Sequence, residues 1–469
     1  MSSLDVVTGD VARLDGEWGG RPYREQQRST ALTDLGLPFG MVRPLYFIVV
    51  ALVVATTTSS AFGQELTLAD VVRLALTRNE RSAIANETVV SADAAVTKAR
   101  VAFLPTVTLA GSEVLRPYQV EQHGTVAART NAASGSLTVV QPLLAVNAFP
   151  LYSGAKHSLD SARWDELDQR RKLAFDAARA FFALITQERL MSAAQSRLDR
   201  ANASLADTAA RAQAGLVSSN DVTRSQVDRA SAEQSVANAV SGLTEARLDL
   251  GYVLDSLVPN DVDAPSEDLA PFALDIADLV RRAINQRPDL AALRSSTAAA
   301  EAVAKEPGLR FVPTINAAAQ ARTQDQPLFG TQNQYLDGTL TLNLNWAIWD
   351  AGNRAADADS RGAAARVAGL QERALFRQVD VDVRTAVAEL VSARQALAAA
   401  QEGLEASKRD VDETNVLYKQ GLAKAIELVD SNGSRFDADV ALAAAELQVR
   451  QAELDLRAAL GLFPIDGVK

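Results

Sequence analysis

A seven-residue repeat of large and small side chains dominates the sequence. In the C-terminal part, the large positions are Val383, Leu390, Leu397, Leu404, Val411 and Tyr418, and small residues lie three places after the first five, at Ala386, Ala393, Ala400, Ser407 and Thr414. The same spacing occurs earlier, at Leu184, Met191, Leu198 and Leu205 with Ala194, Ala201 and Thr208. Such heptads predict long α-helices that pack side by side with coiled-coil geometry.

The repeats lie in two long stretches without proline, from Ser158 to Gln213 and from Asp357 to Gln420. As helices they would be about 80 and about 95 Å long, since each residue adds about 1.5 Å. A glycine follows each stretch, Gly215 or Gly421, and a second stretch with the same 4-3 spacing comes next. A glycine beyond a helix favours a reversal of the chain. The sequence therefore predicts two long antiparallel helical hairpins.

Four shorter segments have a two-residue period, which predicts β-strands at about 105–115, 136–146, 313–322 and 335–346. The last is the clearest, because Leu340, Leu342 and Leu344 alternate with Thr341 and Asn343. Strands of this length can cross a membrane when tilted. In lipid a sheet has to close, and a bacterial barrel needs about eight strands or more, so several copies would share one barrel. The alternative is a pair of soluble β-hairpins that cap a helical rod.

The chain repeats itself with an offset of about 200 residues. Leu66–Ala75 resembles Leu274–Ala283, and the match continues without a gap to Pro105 and Pro313. The sequence therefore predicts a mainly α fold with a small β part, built from duplicated half-units. The predicted repeats are residues 64–270, with a hairpin over about 158–257, and residues 271–469, with a hairpin over about 357–461.

A secretory signal peptide is predicted at residues 41–63. Arg43 precedes an apolar run that starts at Leu45, and small residues end in Ala61-Phe62-Gly63. A transmembrane helix needs roughly 20 apolar residues, whereas this run ends at Thr56. Residues 1–40 precede the signal and are interpreted as an extra or mis-assigned N-terminal segment, with the true start at Met41. The mature chain is thus expected to leave the cytoplasm.

Composition excludes several kinds of chemistry. The chain has no cysteine, so it lacks disulfides, thiolate metal sites and cysteine nucleophiles, and its two histidines leave little room for a zinc site. The net charge of −11 argues against a nucleic-acid partner. No catalytic constellation, phosphate-binding loop or dinucleotide fingerprint is present. We therefore expect neither enzyme activity nor a cofactor or metal.

Taken together, these features resemble the TolC-like outer-membrane efflux channels. The shared features are the Leu66-Thr-Leu-Ala-Asp70 opening, the Leu104-Pro105-Thr106 strand entry, the duplicated halves and the Gly-Leu hairpin tips. The resemblance implies a homotrimer in which each chain gives four strands to one 12-stranded barrel, embedded in outer-membrane lipid. The long helices would form an α-barrel across the periplasm.

By the same resemblance, the channel would be the passive exit duct of a tripartite efflux or type I secretion system. An inner-membrane pump would supply the energy and select the cargo, which in similar ducts includes drugs, metals, siderophores and proteins. A periplasmic adaptor (membrane fusion) protein would contact the hairpin tips at Gly215, Leu216, Gly421 and Leu422. The alternative hypothesis is a periplasmic coiled-coil scaffold or adaptor without a pore.

The resemblance also implies a periplasmic gate after the sequence Tyr418-Lys-Gln-Gly421. Glu427 and Asp430 lie six and nine places after that glycine and would ring the entrance, one pair from each protomer. Three copies of two carboxylates favour cations and repel anions. The alternative is that both are solvated acids near a helix N-terminus, where negative charge is favoured in any case.

Two more gate residues are implied in this way. Asp221 would tie to a neighbouring tip and keep the entrance shut, with Tyr418 as one partner. The family's second partner is a basic residue two places after the second glycine, and this chain has Ala423 there, with Lys424 next to it. The departure predicts a less tightly locked entrance.

Overall fold

The structure is a computed structural model, and it describes residues 66–122, 125–128, 130–258, 275–324 and 335–467. The predicted signal peptide at 41–63 and the segment 1–40 lie outside these residues. Nine helices lie in the described part: α1 (Leu68–Arg78), α2 (Glu80–Val101), α3 (Ala148–Gln213), α4 (Ser219–Leu254), α5 (Ile276–Gln286), α6 (Pro288–Ala304), α7 (Glu306–Leu309), α8 (Asn353–Lys419) and α9 (Ala425–Ala459).

The two long helices are α3, with 66 residues, and α8, with 67. Each spans on the order of 100 Å. Helix α3 begins ten residues before the predicted start. Pro150 lies in its first turn, where a helix tolerates proline. The buried residues of α8 follow the predicted heptads and include Val383, Ala386 and Leu390. Among the described helices, none has an apolar stretch long enough to cross a bilayer.

The helices pack in a fixed lateral order. Toward the hairpin tips, α3 lies between α4 and α9, and α8 packs on the other side of α9. Nearer the strands the order is α2, α3, α6 and α8. One apolar cluster joins α1, α3 and α4, and a second joins α5, α8 and α9. The edges of this arrangement are therefore α2 and α4 on one side and α8 on the other.

Six strands are described: β1 (Thr106–Leu115), β2 (Val120–Gln122), β3 (Thr125–Ala128), β4 (Asn131–Leu144), β5 (Thr314–Gln324) and β6 (Tyr335–Asn345). Four of them form one antiparallel sheet in the order β1-β4-β5-β6, which confirms the predicted four-strand part. β4 begins five residues before the predicted start. Its first residues include Ser134 and Gly135, which are poor strand formers, but pairing with β1 holds them in the ladder. The short β2-β3 hairpin was not predicted.

The sheet has one apolar and one polar face. Val107, Val139, Ala319 and Leu340 are register partners in one row across all four strands, and the next row joins Thr108, Thr138, Gln320 and Thr339. On the polar face, the Ser112 and Ser134 hydroxyl oxygens lie 2.8 Å apart. Leu340, on the other face, is 80% exposed. A single chain therefore leaves the apolar face of its sheet uncovered.

Candidate gate at the hairpin tips

Both hairpin tips turn through a glycine with positive φ. Gly215 has φ +73° and Gly421 has φ +76°, a conformation that costs a side-chain-bearing residue energy. In each turn the next residue closes the helix end: Leu216 N donates to Arg211 O at 2.9 Å, and Leu422 N donates to Leu417 O at 2.9 Å. The predicted glycine turns are thus present with the same geometry in both halves.

A leucine projects from each turn. Leu216 is 74% exposed and Leu422 is 73% exposed. Neither leucine is buried by the rest of its own chain, so neither side chain contributes burial of apolar surface to the stability of the single chain. Their matched placement in both hairpins presents two equivalent apolar points at one end of the molecule.

The two tips begin their return helices differently. At α4, the Ser218 N–H donates to Asp221 Oδ2 at 3.0 Å, and the Asp221 N–H donates to Ser218 Oγ at 3.2 Å. This capping box uses the Asp221 carboxylate within its own turn. At α9, Lys424 occupies the N-cap position and makes no side-chain capping bond. Lys424 thus precedes the helix instead of lying on one of its faces.

Tyr418 is buried where the two hairpins meet, with 3% of its surface exposed. Its hydroxyl oxygen lies 3.2 Å from Thr208 Oγ1 on α3. Ser225 Oγ on α4 donates to the same threonine oxygen at 3.3 Å. The Arg211 guanidinium carbon lies 4.7 Å from the centre of the tyrosine ring, and Arg211 Nη1 donates to Tyr418 O at 3.2 Å. Tyr418 therefore joins α8 to α3, and the Ser225–Thr208 bond extends this hydrogen-bonded cluster to α4.

The structure does not bring all the predicted gate residues together within one chain. Tyr418 packs with Ala425 and Leu428, and Ala423 lies against this small cluster. The Asp221 carboxylate accepts a hydrogen bond from Ser218 Oγ in its own capping box, and the Tyr418 hydroxyl contacts Thr208. The predicted tie of Asp221 concerns a neighbouring protomer and stays a prediction.

Glu427 and Asp430 are both exposed in the first two turns of α9. Three residues apart, they lie on the same side of the helix. Arg435 and Asp439, farther along α9, face α3 and line a cleft of about 300 Å³ with it. By helical geometry the side of α9 that lines this cleft is about a third of a turn away from the two acids. The pair can therefore face a space that the rest of its own chain does not fill.

Three residues of the tip cluster were not predicted as site residues: Thr208, Arg211 and Ser225. Thr208 was predicted as a small position of the helical seam, which agrees with its burial. Nothing in the sequence links Arg211 or Ser225 to Tyr418, because the contacts join distant parts of the chain. Among the residues that the structure describes, no group of three or more His, Asp and Glu side chains is placed to hold a metal ion.

A family comparison matches most of the sequence. The sequence model described as "Outer membrane efflux protein" matches residues 71–254 and 279–462. The two matched segments have equal lengths and start at equivalent places in the two halves. A search of curated proteins found no match.

Solved structures of channels have the same fold. CusC superposes with a TM-score of 0.74 at 18% identity, covering 87% of this chain and 96% of CusC. VceC of Vibrio cholerae gives 0.73 at 16% identity, covering 85% and 97%. The CmeC outer membrane channel of Campylobacter jejuni gives 0.71 at 16% identity, covering 87% and 90%. At these identities the likeness establishes the fold.

Proposed function

Because the chain belongs to the outer membrane efflux protein family, we propose that it is the homotrimeric exit duct of a tripartite efflux or type I secretion system. The family places the chain in the outer membrane as part of an efflux channel. We further infer three copies in each channel, a gate at the hairpin tips, and partner proteins at the periplasmic end.

The observation that carries the proposal is the unfinished four-stranded sheet. β1 and β6 are its edges, and within one chain each pairs on one side only. Side chains of the apolar face are exposed from one edge of the sheet to the other, from Val107 on β1 to Leu344 on β6. In lipid, unpaired backbone groups at an open edge cost several kcal/mol each, so the edges have to be joined to other strands. Pairing β1 of one copy with β6 of the next satisfies both edges.

Three copies supply 12 strands, which lies within the range of bacterial barrels. The helical edges also support lateral association. Exposed apolar side chains lie on both edges, with Ile84 and Val90 on α2 and Leu370 and Val391 on α8. A neighbouring copy would cover them as it extends the barrel.

The tips would then form the periplasmic entrance. Three copies of Glu427 and Asp430 make an acidic ring that attracts cations and holds the tips apart by repulsion unless other contacts restrain them. Asp221 and Tyr418 belong to this gate in the proposal. The exposed Leu216 and Leu422, with Gly215 and Gly421 at their turns, present the apolar contact for a periplasmic adaptor, and an inner-membrane pump supplies the energy.

The proposal also keeps the predicted organisation of the chain. Residues 41–63 act as the export signal, 1–40 are an extra segment, and 64–270 and 271–469 are duplicated halves. The alternative, an adaptor without a pore, is less well supported. An adaptor usually has a single helical hairpin and has no need of four amphipathic strands, whereas this chain has two hairpins and all four strands.

Chemical cross-linking tests the edge pairing directly. The natural chain has no cysteine, so Ala110→Cys on β1 and Thr339→Cys on β6 give one reactive group at each sheet edge. A flexible bis-maleimide should link three chains in the outer-membrane fraction of cells that carry both substitutions. Each single variant should yield no product larger than a dimer. Recovery of a monomer that stays in the soluble periplasmic fraction would exclude the duct.

A further inference from the structure

The polar face of the sheet carries almost no charge. Its described positions are threonine, serine, asparagine, glutamine or small apolar residues along β1 and β4 and most of β5 and β6. Two charged side chains interrupt the strand positions of this surface, Arg322 on β5 and Asp337 on β6. In the proposed barrel the polar face lines the lumen, since the apolar face has to meet lipid.

These two residues are direct partners in the strand register. Cross-strand partners have Cβ atoms about 5 Å apart, so long side chains of opposite charge at such positions can meet. The neighbouring positions on the same face are uncharged: Ser136 is the partner of Arg322 on β4, and Gln320 and Thr339 form the next row. Arg322 and Asp337 are thus each other's nearest charge on this face.

The pair lies at the end of the sheet remote from the helices. β5 starts after α7 at Thr314 and ends at Gln324, and β6 returns from Tyr335 toward α8. Arg322 is near the end of the first strand and Asp337 near the start of the second. In a trimer, three such pairs would surround the outer mouth of the barrel.

We propose that Arg322 and Asp337 balance each other's charge, so that the described polar face of the sheet carries no net charge near the outer mouth of the channel. This inference rests on the proposed function. A ring of three like charges in a narrow pore selects for counter-ions, whereas three opposed pairs do not. Among the residues that the structure describes on the proposed lumen, the acidic tips at the other end of the duct would then set the preference for cations. Ions and charged cargo would then pass this row of the barrel without meeting a ring of like charges.

The test is ion selectivity in planar bilayers, read as the reversal potential under a salt gradient. The variants are Asp337→Asn, Arg322→Gln, the double neutral variant, and the swap Arg322→Asp with Asp337→Arg. Each is also measured in a Glu427→Ala, Asp430→Ala background, since a narrow tip would dominate the resistance. Asp337→Asn should shift the permeability ratio toward anions, and Arg322→Gln toward cations, each by about twofold or more. The double neutral and swapped channels should match the parent.

Glu113 provides a matched control. It is an acid near the same end of the sheet, but it lies on the apolar face, where its carboxylate accepts a bond from Asn131 at 2.9 Å. Glu113→Gln should leave the reversal potential unchanged. The inference is overturned if neither single variant shifts selectivity, if the swapped or double variant behaves like a single one, or if Glu113→Gln shifts it equally. A parent protein that forms no conducting trimer would overturn the proposed function as well, so the two failures are distinguishable.

Discussion

The hydroxyl oxygen of Tyr418 lies 3.2 Å from Thr208 Oγ1, and this contact joins the two hairpins of one chain close to their tips. Arg211 stacks on the same tyrosine ring. A gate that opened by separating the hairpins of a single chain would have to break this buried cluster. Opening between neighbouring chains would leave the cluster intact, whereas a rotation of α8 and α9 away from α3 would have to break it.

Removal of the tyrosine hydroxyl should loosen the tips. Tyr418→Phe keeps the ring on Arg211 but removes the hydroxyl that contacts the buried Thr208 Oγ1, which we expect to cost about 1 kcal/mol. Hydrogen exchange of the backbone amides in 205–230 and 410–430 measures this opening. Tyr252→Phe is the control, because Tyr252 is exposed on α4. Equal exchange in both variants would contradict the proposed role of the contact.

The acidic pair is expected to control current through the channel. Glu427→Ala combined with Asp430→Ala removes the proposed ring, so single-channel conductance should rise and block by divalent or polyvalent cations should weaken. Planar-bilayer recordings of purified trimers measure both quantities.

Another acidic residue of α9 serves as the control for that experiment. Asp439 lines the cleft between α9 and α3, away from Glu427 and Asp430. Asp439→Asn should leave conductance and cation block close to the parent values. Unchanged currents in the Glu427→Ala, Asp430→Ala channel would remove the gate assignment while leaving the channel itself intact.

We expect the two faces of β6 to differ in their tolerance of a charged substitution. Leu342 is exposed on the apolar face and Asn343 lies on the polar face. Leu342→Arg should impair assembly in the outer membrane strongly, because arginine in the lipid-facing midplane costs about 2–4 kcal/mol per chain. Asn343→Arg should assemble nearly normally. The amount of heat-dissociable trimer in outer-membrane fractions compares the two, and similar loss in both would contradict the assignment of the faces.

Asp289 should make stability depend on pH in the acid range. Arg287, just before α6, pairs with Asp289 at 2.7 Å and with Asp382 on α8 at 2.6 Å. Burial by itself raises the pKa of the Asp289 carboxyl, but the hydrogen bond and charge of Arg287 outweigh it, so the pKa is lowered overall. The stabilisation is therefore complete above the unfolded value of about 3.9 and disappears as the pH falls through the lower folded value.

Asp289→Asn should lower the free energy of unfolding by about 2 kcal/mol at neutral pH, since a bond to a charged group is lost. The difference from the parent should shrink below about pH 4. Thermal unfolding followed by circular dichroism over a pH series measures it. Asp249→Asn, an exposed aspartate on α4, should change little at any pH. If the free energies of unfolding of the parent and Asp289→Asn differed by the same amount in strong acid as at neutral pH, the proposed pH dependence would be excluded.

Several parts of the fold could be predicted because they depend on local periodicity. The seven-residue spacing around Val383 and Leu390 fixes one buried side of a helix whatever the partner is. The alternation of Leu342 with Asn343 fixes the two faces of a strand in the same way. Gly215 and Gly421 identify the turns, since few residues adopt positive φ. The start of β4 was missed, because Ser134 and Gly135 owe their strand conformation to pairing and not to propensity.

The sequence by itself determined the long helices of the two hairpins, the faces of the strands and the turns at the tips, because each depends on neighbours a few residues apart. Only the tertiary structure decided which of these positions meet. Thr208 and Tyr418 are 210 residues apart and share one buried cluster, and the register of β5 and β6 sets Arg322 opposite Asp337. Such contacts form when separate elements pack together, and a one-residue change of register or of helix rotation would pair different side chains. No local pattern encodes that choice.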